Sequence, residues 1–116
     1  MSVQRIEQNP RMSEASKAGN LVILAGQVAD GETVASQAQS IFDSIDALLE
    51  KAGTNKANIL FANIYLTDIN DFDELNKVWE SWVAADQGQT PSRATMQVVR
   101  LARPEWKVEV QVFATV

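Results

Sequence analysis

From Lys107 to Val116 the chain alternates. Val108, Val110, Val112, Ala114 and Val116 are apolar, and Lys107, Glu109 and Gln111 stand between them. Successive side chains of a strand point to opposite faces, so this segment is a strand with one unbroken apolar face. Such a face has to be laid on a core, which commits the chain to a sheet with a covered side. The stretch Arg93 to Val98 alternates too, with Ala94, Met96 and Val98 set against Arg93, Thr95 and Gln97. With both apolar sets turned inward, the two strands present an arginine, a threonine, a carboxylate and two amides on their other face. That is material for a site.

The rest of the chain supplies what covers such a sheet. Ser2 to Glu7 suits a short leading strand, and Gln8 to Ala18, polar and interrupted by Pro10, reads as a connection. Leu21 to Val28 is a continuous apolar run of strand length, as in strands buried on both faces. Gly26 near its end predicts a bulge, or a close approach of another group to the backbone. Thr33 is placed to cap a helix whose buried stripe is Val34, Ala38, Ile41, Phe42, Ile45, Leu48 and Leu49, and Gly53 supplies its stop. Asn58 to Thr67 is apolar on both sides of its alternation, as a central strand is. A second helix follows from about Phe72 to Ala85, burying Phe72, Leu75, Val78, Trp79, Trp82 and Val83.

The acidic cluster Asp68 to Glu74 does not fit a calcium loop. Phe72 and Asp73 fall where an oxygen ligand and a glycine are needed. Capping of the second helix, by Asp71 with Glu74 or by Asn70, is the better account.

The chain has neither histidine nor cysteine. Imidazole bases, thiolate nucleophiles, disulfides and sulfur-ligated metals are therefore excluded, and no metal or cofactor is expected. Chemistry has to run on carboxylates, Lys, Arg, hydroxyls, backbone groups and water. A net charge of −5 and a pI near 4.6 argue against nucleic acid as a partner, since neutralising phosphates takes a basic footprint. No apolar run approaches the ~18 residues of a membrane helix and Met1 to Asn20 has no signal-like core, so a cytoplasmic protein is expected.

The 116 residues are read as one domain, residues 1–116, in the order strand, strand, helix, strand, helix, strand, strand. The economical architecture is α+β, a single mixed sheet with both helices on one face. The other face then carries Ile59, Phe61 and Tyr65 beside Arg93, Gln97, Glu109 and Gln111. Apolar surface of that extent calls for cover, and a second copy of the chain would supply it.

Ala25-Gly26-Gln27-Val28, Asn70-Asp71-Phe72 with Asn76 beyond, Pro91-Ser92-Arg93, Val98-Val99-Arg100-Leu101 and Lys107-Val108-Glu109 form an ordered set. The set resembles the RidA (YjgF-like) reactive intermediate deaminase family from Asn20 to the C-terminus. Asn76 to Trp79 with Trp82-Val83 look most like its YoaB-like branch. The resemblance implies a chorismate-mutase-like fold, a homotrimer with ligand sites in clefts between subunits, and hydrolysis of enamine and imine acids such as 2-aminoacrylate to 2-keto acids and ammonia. It implies that Arg93 grips the substrate carboxylate, that Glu109 positions or activates water, and that the Gly26 backbone lines the cleft. Asn76, Thr95 and Met12 join the substrate-binding set on the same ground. Two positions depart from the family pattern: Met12, or a neighbour in Arg11-Met12-Ser13, stands where many deaminases have tyrosine, and Thr95 stands where cysteine is frequent.

The implied roles are chemically reasonable. A guanidinium offers two parallel donors that match a carboxylate, which lysine cannot copy. Imine hydrolysis needs only an oriented C=N bond, a water and a proton acceptor. The alternative is a trimeric binder of small carboxylic acids with a regulatory or protective role and no turnover. RNA cleavage is the least favoured reading, given the acidic pI and the lack of histidine.

Overall fold

The computed structural model describes residues 2–116, and its elements follow the hydrophobic pattern. They are β1 (Val3–Gln8), β2 (Ser13–Ala18), β3 (Leu21–Leu24), α1 (Val34–Lys51), β4 (Ile59–Leu66), α2 (Phe72–Trp82), β5 (Ser92–Gln97) and β6 (Val108–Thr115). All six strands join one sheet in the order β1-β2-β3-β6-β4-β5. Every neighbouring pair is antiparallel except β4 and β5, which run parallel and are joined through α2. β6 lies between β3 and β4 and is paired on both sides, as its apolar alternation requires.

Both helices pack on one face of the sheet. Val22 and Leu24 of β3, Ala62, Ile64 and Leu66 of β4, and Val108, Val110, Val112 and Ala114 of β6 are buried there. The predicted α1 stripe meets them: Val34, Ala38, Ile41, Phe42, Ile45, Leu48 and Leu49 are all buried. Thr33 caps α1 in a reciprocal capping box with Ser36. Gly53 follows the helix with a φ of +84°, the left-handed stop expected there. Phe42 stacks on Trp82 with ring centroids 4.4 Å apart, joining the helices. The Trp82 indole N–H donates to the Asp46 carboxylate, so its burial leaves no orphan donor. No helix among the described residues is long and apolar enough to cross a membrane.

Several expectations need correction. The supposed connection Gln8–Ala18 contains a strand, β2, paired with both β1 and β3. Its sequence, SEASKA, buries only Ala15, so no apolar alternation announced it. The run from Leu21 to Val28 is regular only as far as Leu24. Ile23 lies opposite Phe113, whereas Gln27 bridges to Val110, so β3 carries one extra residue between those pairs. This is the bulge that Gly26 predicted. Ile59 is buried with the core, because the β4–β6 register shifts between Ile59 and Phe61.

α2 ends at Trp82, and Asp71 makes no side-chain cap. Asp68 instead caps the short turn before it, and Glu74 accepts from the Ala35 backbone N–H at the start of α1. The last two strands are not neighbours, since β4 separates them.

Candidate functional site

That separation decides where the candidate residues point. Residues directly opposite one another on paired strands project from the same face. Arg93 lies opposite Ala62 and Thr95 opposite Ile64, both buried beneath the helices. Glu109 lies opposite Tyr65 and Gln111 opposite Asn63, on the face that no helix covers. Arg93 and Glu109 therefore stand on opposite faces of the sheet. The single face expected to carry Arg93, Gln97, Glu109 and Gln111 does not exist within one protomer. Gln97 goes with Arg93, and its amide oxygen accepts from the Ile69 N–H. The alternation along β5 was legible. Its phase was not, because β5 takes its register from β4 and not from β6.

Arg93 sits at the sheet edge where α2 passes over it. Its guanidinium carbon is 5.1 Å from the centre of the Trp79 ring and 5.7 Å from that of Phe72. Two aromatic faces thus hold a flat cation at the price of partial burial, which lowers the Arg93 pKa from its ordinary value, while Glu80 nearby opposes the shift. Beside it opens a cleft of about 270 Å³ lined by Asn76, Trp79, Glu80, Thr90, Pro91 and Arg93. The side-chain oxygens Asn76 Oδ1 and Thr95 Oγ1 are buried without a hydrogen-bond partner. Each such orphan costs on the order of 1–3 kcal/mol.

Glu109 belongs to a second group. Its carboxylate lies directly over Gly26. A Cβ at that position would collide with Oε2 and lie 2.7 Å from Cδ, so only glycine admits the carboxylate here. Burial raises the Glu109 pKa above the ordinary carboxylate range. The bulge at Gly26 and the approach of Glu109 are one feature, because the extra residue carries the backbone past the β6 side chain.

Met12 belongs to a third group, in a cleft of about 310 Å³ formed by the β1–β2 turn with Arg5, Arg11 and Ser16 among its lining residues. The turn is held by Asn9, whose side chain accepts from the backbone N–H groups of Arg11 and Met12.

The structure thus brings Asn76 and Arg93 into one cleft, with Thr95 on the same face of β5, and brings Gly26 to Glu109. It keeps those two sets apart. Phe72 and Glu80 were not singled out for the site from sequence, and Trp79 was read only as core. The spacing of Phe72 and Trp79, seven residues apart on one helix face, was the available signal for the aromatic bed.

A mixed six-stranded sheet with two helices on one face, an edge-strand arginine and a glutamate seated on a glycine bulge define a small α+β class whose other sheet face is left open. The chain belongs to the YjgF family: the family model described as Endoribonuclease L-PSP matches residues 3–116. It is 43% identical to a RutC family protein of Haemophilus influenzae, covering 99% of both chains. It is 38% identical to RutC family protein YoaB of Escherichia coli K12, with both covered completely. A more distant relative in Escherichia coli K12, 30% identical over 83% of this chain and 80% of its own, is named 2-iminobutanoate/2-iminopropanoate deaminase. Among solved structures, NMB1025 of Neisseria meningitidis, described as a member of the YjgF protein family, superposes with a TM-score of 0.95 at 45% identity, covering 99% of this chain and 95% of that one.

Proposed function

We propose that the protein hydrolyses 2-imino and enamine acids, 2-aminoacrylate among them, to 2-keto acids and ammonia, in a site that two copies of the chain complete. The observation that carries the reading is Arg93. It is a half-buried guanidinium, laid on two aromatic rings, facing a small cleft and paired with no carboxylate; the single ion pair among the described residues is Lys51 with Glu7. A cation so placed suits a ligand carboxylate. The deaminase named above supports the reaction class.

Glu109 supplies the water-directing carboxylate. Burial raises its pKa, which makes it a better proton acceptor than an ordinary glutamate. Since Arg93 and Glu109 occupy opposite faces of one protomer, the Arg93 cleft of one copy meets the Glu109 face of the next. The open sheet face, with Ile23, Phe61, Tyr65, Met96 and Phe113 on it, is the surface through which copies associate, in a closed trimer. Asn76, Thr95, Gly26 and Met12 complete the substrate pocket.

The test is a coupled assay in which a dehydratase generates 2-aminoacrylate and ammonia release is followed. Wild-type protein accelerates release. Arg93→Ala and Glu109→Gln each lower the acceleration by on the order of a hundredfold, in line with loss of a charged binding contact or a general base. Keto-acid binding survives Glu109→Gln and is lost in Arg93→Ala. The departures at Met12 and Thr95 favour a second reading, a carboxylic-acid binder without turnover. Arg93-dependent binding with no acceleration on any of several substrates would select it.

A further inference from the structure

The cleft that holds Arg93 also holds a carboxylate. Glu80 and Asn76 are four residues apart on α2 and so lie on one side of the helix, and both line the cleft opposite the strand that carries Arg93. Glu80 and Arg93 do not form an ion pair; the single one among the described residues is Lys51 with Glu7. Two opposite charges therefore face one small space without neutralising each other directly. A simple carboxylate entering there gains from Arg93 and is opposed by Glu80. A ligand bearing a positive nitrogen one carbon away from its carboxylate gains from both.

We infer that Glu80 makes this cleft selective for zwitterionic 2-nitrogen acids, with the protonated 2-imino acid as the bound form, over carboxylic acids without the nitrogen. The inference rests on the proposed role of Arg93. It gives the reaction a direction. In R–C(=NH₂⁺)–COO⁻ + H₂O → R–CO–COO⁻ + NH₄⁺, the water oxygen becomes the new carbonyl oxygen and both water protons end on the departing nitrogen. The keto acid left behind keeps its contact with Arg93 but has lost the group that Glu80 attracts. Substrate is held by two charges and product by one, against the field of the other, so product release is favoured by the same residue that selects the substrate. The field of Glu80 also favours the protonated state of Arg93, countering its burial.

The test compares alanine and pyruvate, which share a carbon skeleton and differ in the nitrogen, by titration calorimetry on assembled wild-type, Glu80→Gln and Arg93→Ala proteins. Glu80 is exposed, so its amide variant is expected to fold and assemble normally. Removing its charge should tighten pyruvate and weaken alanine, each by on the order of threefold to tenfold for a partly screened charge at short range. Opposite signs for two ligands with the same carbon skeleton and carboxylate are not produced by a merely structural change. Affinities that move together, or do not move, while Arg93→Ala abolishes binding, overturn the role of Glu80 alone. Binding that Arg93→Ala leaves intact, or no binding of either ligand to wild type, overturns the Arg93 reading and this inference with it.

Discussion

Glu109 shows what a candidate site residue costs a fold. Its carboxylate is partly withdrawn from water over a backbone that has given up its Cβ to admit it, and no side chain hydrogen-bonds or pairs with it among the described residues. A carboxyl whose folded pKa is raised contributes fully to stability below its unfolded pKa, where it is protonated in both states. That contribution is lost as pH rises through the raised folded value. At neutral pH the wild type therefore carries a small electrostatic penalty that a glutamine does not. Glu109→Gln should raise Tm relative to wild type at pH 7, by about a degree or two given its partial exposure, and the gain should vanish near about pH 4. Thermal unfolding at the two pH values checks it; an equal effect at both would place the cost elsewhere. The Gly26 end of this pair was legible in the sequence, because glycine in an apolar run has few other reasons to be there. From the strand pattern alone the Glu109 end was legible only as a polar residue, and it was the family resemblance that singled it out, since its neighbour across the bulge depends on register.

At the scale of elements, α2 does two jobs. Its inner side closes the core through Leu75, Trp79 and Trp82, and its N-terminal edge sets Phe72 beside Arg93. Phe72 is 36% exposed, so it adds little to the core. Phe72→Leu should leave Tm nearly unchanged while weakening keto-acid binding about twofold to fivefold, the size of one exposed cation–π contact acting through the arginine it orients. Trp79 would not serve for this test, because its loss would also open the core. Calorimetry beside a melting curve separates the two effects, and a large fall in Tm with unchanged binding would remove Phe72 from the site.

Elements whose pattern carries a period were legible before the fold was known: both helices, β4 and β6. β2 was missed because it buries one residue and is held by its neighbours' backbones. The inverted facing of β5 was missed for a related reason. At the sheet edge its polar residues lie toward α2 and Ala94 and Met96 lie away from it, a choice made by pairing with β4 and by the aromatic bed, neither of which is local in sequence.

At the scale of the molecule, the separation of Arg93 from Glu109 turns an architectural fact into a kinetic one. If each pocket draws its arginine from one copy and its glutamate from another, a subunit lacking either residue still carries one sound half. Arg93→Ala and Glu109→Gln proteins should each keep only on the order of a hundredth of the activity alone, because every pocket then lacks the same group. When the two are unfolded together and reassembled in equal amounts, a pocket is intact whenever its arginine comes from the glutamine variant and its glutamate from the alanine variant. Random assembly of a closed ring makes that true of about a quarter of pockets, so about a quarter of wild-type activity should return. The mixed species should run at three times the 12.8 kDa protomer by light scattering. A site confined to one chain predicts no recovery, because every chain in the mixture is defective. Recovery therefore depends on the placement of two side chains on opposite faces of a sheet and on the open face between copies being closed by self-association.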